Sequence, residues 1–259
     1  MSYLPNIIFA LILFSAIFLF RRNILFIKRN IQMGRAIHRT DRSSVRWYNM
    51  IRIAFGQSKM VTKPIAGILH LIVYVGFIII NIELIEIILD GLFGTHRLFA
   101  PYLGELYNLL IASFEILAAL VLVSVVLFWL RRNAIKIRRF WKPEMKGWPK
   151  KDADYILYFE IVLMTLFLSM NATDQLLQEF GETNYTQAGL FPVSKLLTPL
   201  FSSFSIESLI VLERTFWWLH IIGILSEQKW DGRVIKIIVL TSADILVPAD
   251  LLWVAHLYH

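Results

Sequence analysis

The chain has 259 residues, 57% of them hydrophobic and 17% charged, with a mean hydropathy of +0.62. That balance excludes an ordinary soluble domain and matches a chain of several membrane spans. The absence of cysteine excludes disulfides, thiolate-held zinc and any iron–sulfur cluster within the chain itself.

A span needs ~20 mostly apolar residues to cross ~30 Å of hydrocarbon. The first predicted span is Leu4 to Phe20, closed by Arg21-Arg22. It has no basic residue before it and no small-residue cleavage site after it, so it is expected to be an uncleaved anchor. The basic segment that follows contains "VRWYNMIRIAFG", in which Arg46 and Arg52 alternate with Trp47, Tyr48, Met50, Ile51, Ile53 and Phe55. That mixture suits a helix lying at the interface. The second span runs from about Pro64 to Leu89, with proline in the first turn, where a missing N–H does no harm. The third runs from about Leu106 to Leu130, the fourth from about Tyr155 to Met170, and the fifth from about Glu207 to Leu225. These five spans predict an all-α integral membrane bundle.

The net charge of +7 is unevenly placed. Residues 21–63 hold 11 Lys and Arg and residues 131–153 hold 9, out of 26 in the chain. Segment 90–105 holds only Arg97, and segment 171–206 only Lys195. The positive-inside rule then puts the N-terminus outside and both basic segments in the cytoplasm. All five spans obey the alternation, so the basic runs read as topology, with lipid as partner and no nucleic acid. Tyr102, Tyr107, Trp129, Trp141, Trp148, Tyr155, Trp217 and Trp218 fall near span ends as an aromatic belt. Asn171-Ala-Thr and Asn184-Tyr-Thr match the glycosylation pattern on the outer side.

Of six histidines, only His70 and His220 lie inside predicted spans. His70 lies six residues in from Pro64 and His220 six residues before Ser226, so each is ~9 Å from the cytoplasmic end at ~1.5 Å per residue. Two antiparallel helices thus offer one imidazole each at one depth. A six-coordinate haem needs that arrangement, with two neutral imidazoles on opposite sides of a porphyrin. Gly67 and Gly223 each fall one turn cytoplasmic of a histidine, where a missing side chain would let a macrocycle lie close to the backbone. The same residues also suit a hydrogen bond across a helix pair, with glycines serving packing, or a proton relay. Glu160, Met164, Phe167, Asn171 and Asp174 step along one face, and Glu213, Trp217 and His220 share another, with Arg214 beside it. Buried acids of this kind mark proton or substrate paths or pair structurally. Glu83, Glu86 and Asp90 read as the solvated outer end of the second span.

Three stretches carry a resemblance to a known family: "GQSKMVTKPIAGILHLIVYVGFIIINIELIEIILDGLFGTHRLF", "FWKPEMKGWPKKDADYILYFEIVLMTLFLSMNATD" and "ERTFWWLHIIGIL". They resemble the membrane cytochrome b domain of bacterial iron–sulfur, heterodisulfide-reductase-like oxidoreductases, a domain similar to the gamma subunit of respiratory nitrate reductase. The resemblance covers about residues 1 to 225. It implies a multi-pass subunit of the bacterial inner membrane that passes electrons between a cytoplasmic iron–sulfur module and menaquinone through haem b. In the nitrate reductase subunit the haem ligands come from the second and fifth spans, two on each. His70 and His220 occupy those spans here, one on each, which implies one haem and leaves a second open. Glu160, Glu213 and Arg214 are the candidate quinone or proton partners.

After Leu225 the sequence departs from that family. There the fifth span leads into a Tyr-Ser-Lys-His segment and a cytoplasmic domain with cysteine-ligated clusters. Here residues 226–259 form an atypical tail that mixes Asp244, Pro248 and Asp250 into an apolar run. The expectation is a shifted reading frame or a truncation, tested by resequencing the locus, with His256 and His259 not counted as ligands. The competing reading of the whole is a non-redox transporter or anchor whose buried glutamates and histidines carry protons or a substrate.

Overall fold

The computed structural model describes residues 3–34, 42–56, 64–137 and 147–226. The tail expected to be frameshifted or truncated lies outside the described residues from 227 onward. The elements are α1 (Leu4–Gln32), α2 (Ser43–Asn49), α3 (Pro64–Phe93), α4 (Ala100–Leu103), α5 (Glu105–Trp129), α6 (Trp148–Glu179), α7 (Thr198–Phe201) and α8 (Ile206–Ser226). A wider π turn over Met50–Phe55 continues α2, and another over Leu130–Ala134 continues α5. No strand occurs among the described residues. Five of these helices are long and apolar enough to cross a membrane, so the protein is an all-α bundle of membrane-spanning helices.

The helices outrun the apolar segments that predict them. α1 passes Arg21-Arg22 and ends at Gln32, and α6 begins before Tyr155 and reaches Glu179. Charge does not end a helix, because long basic side chains lay their stems along it and hold their heads in water. Backbone chemistry does. α3 stops at Gly94, whose φ of 71° lies in the left-handed region and whose N–H reaches the Asp90 carbonyl at 2.8 Å.

Two compact units divide the chain. The first comprises residues 1–9 and 72–223. In it α5 packs along α6, burying Ile111, Phe114, Ala118 and Val121 with Leu163, Met164, Phe167 and Leu168. Gly76 lets α3 close on α5, since a Cβ there would lie 2.6 Å from Val121 Cγ2. This is the small-residue packing that membrane helices use. Leu176, Leu177, Tyr185 and Leu209 form a cluster where the end of α6 meets the start of α8. The second unit comprises residues 10–71 and 224–259. Its described part holds most of α1, all of α2 and the first two turns of α3. In α2 and the π turn after it, Val45, Trp47, Tyr48 and Ile51 are exposed, as an interfacial face requires.

Candidate functional site

The first unit gathers buried polar groups at the end formed by residues 94–104 and 180–205, called here the loop end. Arg97 is its centre. Its Nε and Nη2 donate to Asp174 Oδ2 at 2.9 and 2.5 Å, and Nη1 donates to Tyr107 Oη at 3.2 Å. The second Nη2 hydrogen reaches Asn171 Oδ1 at 3.4 Å, and the guanidinium lies 4.9 Å from the centroid of Phe191. Burial alone would lower the Arg97 guanidinium, but the Asp174 carboxylate outweighs it and holds the group above its ordinary value. The pair is therefore ionised. Arg97 also has φ 55°, a left-handed conformation costing ~1–2 kcal/mol for a non-glycine residue. The Asp90 carboxylate over-determines that turn by accepting the N–H groups of Arg97 and Leu98 at 2.9 and 3.2 Å.

The network extends in two directions. Tyr107 Oη donates to Glu86 Oε2 at 2.8 Å, and Glu86 Oε1 accepts the Phe99 N–H at 2.8 Å. Asn171 Nδ2 donates to Glu115 Oε1 at 3.2 Å, and Glu115 Oε2 accepts the N–H groups of Val193 and Ser194 at 2.9 and 3.1 Å. His96 ties in the third loop. Its Nδ1 accepts the Thr186 N–H at 3.0 Å, which leaves the proton on Nε2, 3.3 Å from Asp174 Oδ1.

A cavity of about 350 Å³ opens beside this network. Its apolar lining includes Phe9, Ile87, Met170, Trp217 and Trp218, and its polar lining includes Glu83, Arg97, Asp174, Glu213 and Arg214. Phe9 packs against Trp217 with ring centroids 5.4 Å apart and planes tilted by 51°. Glu213 is buried and accepts from Arg214 Nε, from Arg214 Nη2 at 2.6 Å and from Tyr185 Oη at 2.9 Å. Burial, and then the Glu213 carboxylate, push the Tyr185 phenol above its ordinary range. Tyr185 is thus a neutral donor.

His220 lies three residues beyond Trp217 on α8, ~4.5 Å along the axis. It is 4% exposed and packs on Phe167, with ring centroids 5.8 Å apart. Its Nδ1 is 3.1 Å from the Leu163 carbonyl. A carbonyl only accepts, so Nδ1 carries the proton and Nε2 the lone pair. That is the tautomer in which a histidine offers Nε2 to a metal while its other nitrogen is oriented by a backbone group. The donor chemistry of His220 therefore fits a haem ligand. At Gly223 a Cβ would come within 2.7 Å of Leu163 Cδ2 and 3.5 Å of Phe159 Cζ. The space its missing side chain leaves is used by α6.

The structure brings Glu213 and Arg214 together in one ion pair and places His220 on the same helix, as the shared face of Glu213, Trp217 and His220 requires. Glu160 lies on α6, half-buried and away from the cavity lining. Gly67 and His70 belong to the second unit, the glycine buried and the histidine half-buried. Two readings need correction. Glu83 and Glu86 are not a solvated end, for each is 4% exposed. Their spacing of three, continued four residues on by Asp90, puts all three on one helical face, the signal that could have marked them. Asn171 is no glycosylation acceptor, because it is fully buried within α6 and committed to Arg97 and Glu115. The ion pair of Arg97 with Asp174 has no sequence signature, its partners being 77 residues apart.

No family model matches the chain, and no solved structure does. Two curated proteins are similar to it. One is an EtfAB:quinone oxidoreductase of Syntrophomonas wolfei, 26% identical over 191 residues, which cover 71% of this chain and 25% of that protein. The other is a probable iron-sulfur-binding oxidoreductase, FadF, of Bacillus subtilis, 26% identical over 180 residues, covering 70% of this chain and 23% of that protein. The chain thus spans about a quarter of the length of these relatives. It is a membrane-spanning protein similar in sequence to part of two oxidoreductases.

Proposed function

We propose that the chain is a cytochrome b subunit of the bacterial inner membrane, N-terminus outside, passing electrons between a cytoplasmic iron–sulfur protein and menaquinone. A haem held by His70 and His220 would supply one-electron chemistry. The observation that carries the reading is His220. It is buried, its Nδ1 proton is committed to Leu163, its lone pair sits on Nε2, and it lies one helical turn from the cavity floor at Trp217. The roles left to the chain's own residues are to ligate, to bury and to position. The aromatic and aliphatic wall would hold a quinone ring and shed water from it. Arg214, fixed by Glu213, and Tyr185 behind them would set the polar side of that site. The names of the two relatives, a quinone and an iron–sulfur oxidoreductase, support the same pairing of partners.

Membranes containing the chain test this directly. Addition of a naphthoquinol should reduce the bound haem, and Arg214→Ala should slow the reduction while leaving the dithionite-reduced spectrum unchanged. Equal rates in both proteins would remove Arg214 from the quinone site. A second reading, a non-redox anchor or transporter, is favoured by the Leu163 contacts, since the His220 hydrogen bond and the Gly223 packing together also lock α6 to α8. That reading predicts no bound haem.

A further inference from the structure

We propose that Glu83, in its acid form, donates the hydrogen bond that positions a carbonyl oxygen of a quinone headgroup in the loop-end cavity. The inference rests on the quinone-linked reading above. Glu83 lines the cavity and is 4% exposed, yet its Oε2 has no hydrogen-bond partner among the described residues. The other acids around the cavity are matched. Glu86 accepts from Phe99 and Tyr107, Asp90 from Thr95, Arg97 and Leu98, Asp174 from Arg97, and Glu213 from Arg214 and Tyr185. Buried polar atoms are seldom left unmatched, because each costs the full desolvation of the group. Glu83 is thus a buried acid of the cavity lining with hydrogen-bonding capacity to spare, inside an otherwise satisfied network.

The surroundings choose the ligand. Phe9, Ile87, Met170 and Trp217 offer flat apolar walls, and about 350 Å³ lies within the range of small-molecule sites. Both arginines on the wall are already paired with carboxylates, so an anion finds no free cation there. A neutral ring with a carbonyl acceptor uses the apolar wall and the acid O–H at once. A cationic ligand would instead use the Glu83 carboxylate and gain little from the aliphatic part of the wall.

The test is binding of 2-heptyl-4-hydroxyquinoline N-oxide, a quinone-ring analogue whose fluorescence is quenched when bound, to the full chain in nanodiscs. Glu83→Gln keeps a donor and cannot ionise, so its affinity should stay within about threefold of the parent. Glu83→Leu keeps the volume and loses the donor, so binding should weaken about tenfold, the scale of one lost hydrogen bond. Replacing an orphan polar atom by an apolar one should not unfold the bundle, and Glu83→Met provides the same readout in a more flexible side chain. Unchanged binding in Glu83→Leu and Glu83→Met would overturn the role of Glu83 and leave the electron-transfer reading standing. Loss in Glu83→Gln equal to that in Glu83→Leu would overturn the donor role, since glutamine still donates. Absence of binding in the parent chain, with haem present, would overturn the cavity as a quinone site and this inference with it.

Discussion

Arg97 shows how one residue can organise a face of a membrane bundle. Each nitrogen of its guanidinium donates a hydrogen bond, on a backbone turn held by the Asp90 cap. Arg97→Ala leaves the buried Asp174 carboxylate uncompensated, a change that costs ~3–5 kcal/mol in buried pairs. The expected outcome is a marked fall in the detergent melting temperature. Arg97→Lys keeps the charge without the planar fork and should fall between the two. Equal melting of Arg97→Lys and the parent would mean that charge alone holds the network. None of this was legible in the sequence, where Arg97 is a lone cation in an otherwise neutral connection. A contact 77 residues long leaves no periodicity. By contrast, the shared faces of Glu213, Trp217 and His220 and of Phe167, Asn171 and Asp174 follow from helical spacing, and all six side chains are buried.

At the scale of elements, three glycines set how closely helices approach. Gly91 of α3 faces the Phe9 ring of α1, where a Cβ would lie 2.7 to 2.9 Å from three ring atoms. A ring cannot fold aside as an aliphatic tip can. Gly91→Ala should therefore cost ~1–3 kcal/mol by overpacking and shift the tilted Phe9–Trp217 contact at the cavity wall, read as a change in tryptophan fluorescence. Gly76 meets Val121 in the same way. At Gly223 the opposing atom is the tip of Leu163, so Gly223→Ala should be mild. Gly223→Val should destabilise, and Leu163→Ala in that background should recover part of the loss. Additive losses would mean that the two residues do not share the space. The sequence pointed to Gly223 through its spacing from His220, a spacing that cannot tell a macrocycle from a leucine. Element ends were less legible than element existence, because the helices run on through charged turns that hydropathy treats as boundaries.

Across the chain, five apolar helices and a skewed distribution of Lys and Arg predict one topology. The absence of cysteine makes it directly testable. Asn184→Cys should react with an impermeant maleimide added to intact cells, and Lys136→Cys only after permeabilisation. The reverse pattern would invert the topology and place the loop-end cavity on the cytoplasmic side. The fold class was readable from composition and hydropathy, since a bilayer demands long helices whatever their contacts. The cavity was not, because it is lined from α1, α3, α6, α8 and the loop after α3, and only packing brings those segments together.

His70 and His220 are the proposed haem ligands. The measurement that tests this is the dithionite-reduced minus oxidised spectrum of membranes containing the chain, beside His70→Ala, His220→Ala and His96→Ala. A low-spin b-type spectrum is expected, lost in the first two variants and kept in the third. A chain without haem, or a spectrum that survives loss of either His70 or His220, would contradict the proposal.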